Sequence, residues 1–471
     1  MVTPKPHAAL LASPGMGHLI PTLELAKRLL TDHAFHVTIF VVTTDSFTAT
    51  SQILQQASNI NGLNIVVMPP VDLSTKLGPN SPLEALIGFT VLESLPFLRS
   101  SIVSMKLPPS ALIVDIFGAE ALPMARDLGM LTYIFFATSA WFSAVTIYLP
   151  TIDKQMEETH SNDHEPLLIP GCQPVRFEDT LEPFLSPDGP MYEGYLNAAK
   201  KVVTADGILM NTWQDLEPAA TKAVIEHGIL DRFTKGEVYP VGPLVRSVEP
   251  EADHAVLRWL DRQPAESVIY VAFGSGGTIS EGQMRELAWG LELSQQRFVW
   301  VMRAPNEAKA SGAFFDSAQW YDETVSCLPD GFVKRTERVG FVVPAWAPQA
   351  EILAHPATGG FMTHCGWNSV LESVINGVPM VAWPLYAEQK MNAFMLANEF
   401  GVAVRVEGGV VCRERIAEVV RSVLVGEEGV AMRNKVKELK LSGENALCSF
   451  GSSHQSLSQM RKDIESSCAR F

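Results

Sequence analysis

The chain is constrained most by an alternation that runs its whole length: short, unbroken apolar runs, each followed by a stretch with helical periodicity. Continuous apolar runs of this length mark strands buried on both faces, the condition of a parallel sheet covered by helices. In the first half the runs are "HAALLAS" (His7–Ser13), "HVTIFVV" (His36–Val42), "LNIVVMP" (Leu63–Pro69), "ALIVDIF" (Ala111–Phe117), "LTYIFFA" (Leu131–Ala137) and "GILMNT" (Gly207–Thr212). A helix follows the first, with Ile20, Leu23, Ala26, Leu29 and Leu30 on one apolar face and Pro21 placed in its first turn. "VYPVGPL" (Val238–Leu244) and the acidic "RSVEPEADH" then read as a linker. The alternation restarts with "SVIYVAFGS" (Ser267–Ser275), a helix over Glu281–Gln296, "RFVWVMR" (Arg297–Arg303), "GFVVPAW", "GGFMTH", "GVPMVAWP" and "GVAVRV". Ala304–Thr324 reads as a long surface loop.

This pattern predicts an α/β protein of two facing Rossmann-like domains with parallel sheets, over residues 1–243 and 244–450, with a last helix in 451–471. In such sheets ligands sit beyond the carboxyl ends of the strands, so the chemistry is expected between the domains. The formal charge of −16 argues against nucleic acid or an anionic membrane as partner. Six scattered cysteines (Cys172, Cys327, Cys365, Cys412, Cys448, Cys468) without a C-x-x-C pair fit reduced thiols and a cytoplasmic protein. "AALLA" is too short for a signal-peptide core. Leu128–Ile152 carries no charge and is long enough to span a membrane. Its composition instead predicts a strand, a cap at Thr138 and Ser139, and a buried helix stopped by Pro150.

Two stretches carry chemistry. In "SPGMGHLIP" (Ser13–Pro21) the glycine pattern of a dinucleotide loop is incomplete, because Ile20 occupies the third position. His18 stands where a helix begins, and the positive end of the helix dipole favours a neutral imidazole able to take a proton. Asp115, on an apolar strand, is costly to bury unless it pairs, and pairing with His18 would orient the ring and support its charge. A carboxylate held by backbone N–H groups is the plainer alternative. The second stretch is "WAPQAEILAHPATGGFMTHCGWNSVLESVINGVPMVAWPLYAEQ", the 44 residues from Trp346 to Gln389. Here a helix starting near Trp367, Asn368 and Ser369 offers its N–H groups to a phosphate. His364 adds a donor, Glu372 stands one turn on from Asn368, and Trp346 is an aromatic face for a base. Ser275 in "FGSGG" supplies a second small-residue loop for a diphosphate.

The Trp346–Gln389 segment resembles the signature box of plant UDP-dependent glycosyltransferases that act on small molecules. "GMGHLIP", "DIFG" and "FGSGG" extend the resemblance over nearly the whole chain. It implies the GT-B fold, with no metal cofactor, and the sequence has no Asp-x-Asp. It makes His18 the general base, which also meets the acceptor, and Asp115 its partner. Trp346 and Ala347 would hold the uracil, Glu372 the ribose, and Ser275, His364, Trp367, Asn368 and Ser369 the diphosphate, with Gln349 also among the UDP-binding residues. Thr138, Glu388 and Gln389 would meet the sugar, and Gln389 accompanies glucose in many relatives. "IPGCQPVRFEDTL" and "WPLYAEQKMNA" resemble the branch that glucosylates phenols, including hydroquinone and monolignols. The aromatics of "IFFATSAWF" and "FTVLESLPFL" suit an apolar pocket that would also admit stilbenes or flavonoids. The expectation is a monomeric, inverting O-glucosyltransferase that moves glucose from UDP-glucose to a phenol hydroxyl, giving a β-glucoside and UDP. A non-catalytic UDP-sugar-binding protein would need the second stretch but not His18 with Asp115. An oxidoreductase would need a complete glycine fingerprint, and an acyltransferase would rest on His227-x-x-x-Asp231.

Overall fold

The computed structural model describes residues 5–43, 48–78, 81–161, 163–225, 234, 236–248, 254–307, 309–312 and 326–468. His227, Asp231 and most of the Ala304–Thr324 loop lie outside them. The chain divides into two units, residues 1–245 with 445–471, and residues 246–444. The first boundary thus falls two residues beyond the expected one, and the return to the first unit comes at Asn445 rather than 451.

The first unit is a seven-stranded parallel sheet of β1 (His7–Ala12), β2 (His36–Val41), β3 (Leu63–Val67), β4 (Ala111–Val114), β5 (Leu131–Phe136), β6 (Gly207–Met210) and β7 (Glu237–Pro240). Their order is β3-β2-β1-β4-β5-β6-β7, with Leu11 level with Phe40 on one side and Val114 on the other. β1 through β2 builds outward to one edge and β4 onward to the other, so the connections diverge at β1 and β4. β7 corrects the sequence reading, which took this segment into the linker. An edge strand tolerates proline because one side of its ladder is unpaired, and Pro240 is its last residue. The last helix, Ser452–Cys468, places Leu457, Met460 and Ile464 in this unit's core beside Leu25, Tyr239 and Val241. Tyr239 Oη donates to Asp463 Oδ2 at 2.6 Å, and Arg461 donates to the His33 carbonyl at 2.9 Å.

Two further readings of the first unit are corrected. Helix Met16–Thr31 begins earlier than expected, so Pro21 lies inside it rather than in its first turn. Pro150 likewise lies within helix Ala140–Gln155 instead of ending it. An interior proline costs about 3 kcal/mol locally, and here Trp141, Ala144, Val145, Ile147, Leu149 and Ile152, all buried, outweigh it. Ser139 Oγ caps this helix, accepting from Phe142 N, as the sequence suggested. Among the described residues one helix, Leu83–Val103, is long and apolar enough to cross a membrane, and a third of it is buried in the protein.

The second unit is a six-stranded parallel sheet of β8 (Val268–Ala272), β9 (Arg297–Met302), β10 (Gly340–Pro344), β11 (Thr358–Thr363), β12 (Met380–Ala382) and β13 (Ala403–Arg405). The order is β10-β9-β8-β11-β12-β13, so here the connections diverge at β8 and β11. Ile269, Val271, Phe298, Trp300, Met362 and Val381 lie in its core against helices such as Glu281–Ser294.

Candidate functional site

In each unit the chain leaves two adjacent central strands in opposite directions, which opens a crevice at their carboxyl ends. Each unit carries its candidate chemistry there.

In the first unit the two central strands are β1 and β4. After β1 the chain turns at Gly15, whose φ of 105° suits glycine alone, and the helix that follows presents His18 in its first turn. Gly15 therefore serves the turn, and no glycine fingerprint is needed to explain it. β4 ends at Val114, so Asp115 stands just beyond the strand, where it caps the 3-10 helix Ile116–Ala121 by accepting from Gly118 N at 3.1 Å. His18 Nδ1 lies 3.0 Å from Asp115 Oδ2, although the ring N–H does not aim squarely at the oxygen. The other carboxylate oxygen accepts from Ser13 Oγ at 2.7 Å. The Phe117 ring meets the His18 ring edge-on at 5.4 Å. Asp115 is thus held by three groups, and the ring of His18 keeps Nε2 for a proton from elsewhere. Both earlier alternatives hold at once: the carboxylate meets a backbone N–H and the imidazole.

Thr138 follows β5 and has a buried hydroxyl with no hydrogen-bond partner among the described residues. Beside it the buried Glu217 carboxylate accepts from Ala140 N at 2.8 Å, Trp141 N at 3.0 Å and Thr212 Oγ1 at 2.6 Å. Glu217 thereby fixes the start of the helix after Thr138. Neither Ser13 nor Glu217 was identifiable from the sequence. The aromatics of "IFFATSAWF" divide from those of the Leu83–Val103 helix: Phe135, Phe136, Trp141 and Phe142 are core, whereas Phe89 and Phe97, with Leu92, are exposed.

In the second unit the crevice lies between β8 and β11. The loop after β8 carries Gly274 and the exposed Ser275. The loop after β11 carries His364, and helix Trp367–Asn376 starts from Gly366, which has no side chain to cap it. The His364 ring packs between the two glycines: a Cβ on Gly274 or Gly366 would lie 2.4 or 2.5 Å from Nε2. Its Nδ1 is buried without a hydrogen-bond partner among the described residues. Burial first, and the charge of Arg303 second, bring its pKa down to about 4, so the ring is neutral and has one N–H to give.

Ser369 and Glu372 sit on one face of this helix, and both are buried. Gln349 joins them: its Nε2 donates to Glu372 Oε2 at 2.6 Å and Ser369 Oγ at 3.1 Å, while its Oε1 accepts from Tyr270 Oη at 3.4 Å. The Gln349 side chain therefore holds the helix face in place. Burial raises the Glu372 carboxyl to about 7, opposed by the Gln349 bond and Arg246 and reinforced by Glu351. Trp367 is a core side chain, so its contribution to a ligand comes from its backbone, and Ala347 is buried likewise. Asn368 lies beside them in the helix's first turn. Trp346 is 46% exposed. It follows a γ-turn centred on Ala345 (φ 57°) in which Trp346 N donates to Pro344 O at 2.6 Å. Its one aromatic neighbour among the described contacts is the edge of His254, at 6.4 Å. Glu388 stands at the start of helix Gln389–Asn398 without a side-chain capping bond, directly after Ala387, another left-handed residue (φ 54°). Gln389 Oε1 accepts from Leu385 N and Tyr386 N, so its carbonyl shapes the loop and its amide nitrogen is what remains for a sugar.

A neutral imidazole between glycines, an uncapped helix start and an exposed indole suit a nucleoside diphosphate. The comparisons with known proteins agree. The family model described as UDP-glucoronosyl and UDP-glucosyl transferase matches residues 243–436. UDP-glycosyltransferase 72E1 of Arabidopsis thaliana is 49% identical over 98% of this chain and 96% of its own. Hydroquinone glucosyltransferase of Rauvolfia serpentina is 43% identical over 97% of each chain. The structure of Phytolacca americana UGT2 complexed with UDP-2fluoro-glucose and pterostilbene, 38% identical, superposes with a TM-score of 0.86 over 98% of this chain and 99% of that one. Identity of this depth over nearly the whole of both chains, on the same fold, decides the matter: the chain is a glycosyltransferase of the plant UDP-glycosyltransferase family, with the GT-B fold.

Proposed function

We propose that this enzyme is an inverting O-glucosyltransferase that joins glucose from UDP-glucose to the hydroxyl of a plant phenol. The observation that carries the reading is the 3.0 Å approach of His18 to Asp115 beside a carboxylate already fixed by Ser13 and Gly118. His18 Nε2 takes the phenolic proton, and Asp115 supports the imidazolium that forms. The freed oxygen attacks the anomeric carbon from the side opposite UDP, so one displacement turns an α-linked donor into a β-glucoside. Departure of the diphosphate is assisted by fixed donors and a helix start in place of a metal ion. The absence of Asp-x-Asp in the sequence agrees with that.

Trp346, Ala347 and Gln349 belong to the uracil end in this reading, with Gln349 acting by positioning Glu372 and Ser369. Glu372 accepts from the ribose. Ser275, His364, Asn368, Ser369 and the Trp367 backbone serve the diphosphate, and Thr138, Glu388 and Gln389 the sugar. The phenol is supported by the hydroquinone glucosyltransferase and by the pterostilbene of the solved relative. The exposed apolar side chains Phe89, Leu92 and Phe97 suit such an acceptor. We place the enzyme in the cytosol as a monomer, a setting in which its scattered cysteines stay reduced.

The test is incubation with UDP-glucose and a panel of hydroquinone, coniferyl alcohol, a stilbene and a flavonol, with and without a metal chelator. A β-glucoside formed equally in both arms is the expected product. UDP-glucose binding without any glucoside would favour the non-catalytic reading, and a product lost on chelation would refute the metal-free one.

A further inference from the structure

The groups assigned above to the diphosphate share a peculiarity: none is a cation. Ser275, Asn368 and Ser369 are uncharged, and His364 is held neutral by burial. A departing diphosphate develops negative charge, and an apolar crevice without a compensating charge would resist it.

Arg303 follows the last residue of β9. Val271 on β8 is level with Trp300 on β9, and beyond this pair β8 runs into the Gly274 loop and β9 into Arg303. Ala272 is level with Thr363 on β11, which brings His364 alongside Phe273. Gly274 is the residue against which the His364 ring packs. Arg303, the β8 loop and His364 therefore form one row along the carboxyl edge of three neighbouring strands. The guanidinium charge acts on Tyr270 in β8, on His364 after β11 and on Tyr386 in the loop after β12, so it lies among all three. Burial lowers its pKa, and the groups that act on its charge are the phenols of Tyr270 and Tyr386, with no carboxylate among them and no hydrogen bond or ion pair to it among the described residues. A half-buried guanidinium with no carboxylate beside it among the described residues, at the edge of a crevice lined by uncharged donors, suits an anionic ligand.

We propose that Arg303 binds the diphosphate of the UDP-sugar and carries the positive charge that balances the leaving group. This rests on the reading that the second unit holds a UDP-sugar. In the transfer, the bond from the anomeric carbon to the β-phosphate oxygen breaks and its electron pair stays on that oxygen. The new bond forms to the acceptor oxygen, whose proton goes to His18. Arg303 gives up no proton; it stabilises the charge on the departing phosphate through N–H···O contacts.

Titration calorimetry with UDP and with uridine separates the charge contribution from base and ribose binding. Arg303→Met is expected to weaken UDP by on the order of tenfold or more while leaving uridine unchanged. Arg303→Lys should recover part of the loss, and UDP binding by the native enzyme should weaken as salt is raised more steeply than in the Met variant. Arg303→Gln, which keeps donors without charge, carries the same expectation should the Met variant not fold. Undiminished UDP affinity in both uncharged variants, or a parallel loss of uridine, would overturn the proposal. A native enzyme that binds neither nucleotide would instead overturn the donor reading, and this one with it.

Discussion

The two crevices are built on opposite plans. In the first unit the chemistry rests on side chains drawn from remote strands: Ser13 and Asp115, 102 residues apart, meet beneath a histidine. In the second unit most contributors come from one contiguous stretch, and the site is shaped by backbone: glycines that admit a ring, an uncapped helix start, and left-handed residues at Ala345, Cys365 and Ala387. Proton transfer needs a few groups with tuned charge, so it tolerates variation around them. Holding a nucleotide needs many fixed dipoles at once, so its scaffold is specified residue by residue. Damage to the first crevice should therefore strike turnover, and damage to the second should strike binding.

The sharpest way to break this contrast is His18→Ala. Turnover should fall by about 10⁴-fold, at the upper end for a positioned base, with UDP affinity unchanged by calorimetry. A comparable loss of UDP binding would merge the two plans into one. Asp115→Asn should cost about 10²–10³-fold in kcat with little change in KM for UDP-glucose, because the ring keeps its place but loses its countercharge. Glu372→Gln should act in the other direction, weakening UDP by about tenfold or more while any bound donor still turns over. The same residue predicts a pH signature. Its carboxyl, raised to about 7, is largely protonated at pH 6 and ionised at pH 8. A carboxylate is the better acceptor for ribose hydroxyls, so native UDP affinity should climb between those values, and the Gln variant should lose that slope. The smallest effect is expected for Ala345→Val, since a β-branched residue resists a positive φ at a cost of about 1–3 kcal/mol. UDP affinity should drop several-fold, whereas Ala345→Gly should match the native enzyme. A Val variant that binds normally would mean the γ-turn does not aim Trp346.

Legibility followed the same division. The fold of the second stretch could be read because its spacing is local: strand, glycine turn and helix lie within Thr358–Asn376. The His18–Asp115 approach could be suspected, since each residue is odd where it stands, but its distance could not be read. Ser13 gave no signal, because a serine in a glycine-proline turn has a sufficient local explanation. Gln349 was named with the ligand contacts, yet its amide turns inward to Glu372 and Ser369, which only packing decides. β7 was mistaken for linker because prolines weigh against strands, and the rule is weaker at a sheet edge. Pro150 misled for a related reason, local propensity yielding to burial. The left-handed alanines were invisible: nothing in an alanine announces a positive φ.

The closing helix carries a practical consequence for anyone recombining these enzymes. Because Leu457, Met460 and Ile464 fill the core of the first unit, the final two dozen residues are a component of the front half that happens to be synthesised last. The second unit is then an insert, tethered by chain at both ends. A hybrid joined once, near residue 245, would marry one parent's sheet to another parent's plug, whereas one that also switches back at Asn445 keeps each parent's packing whole.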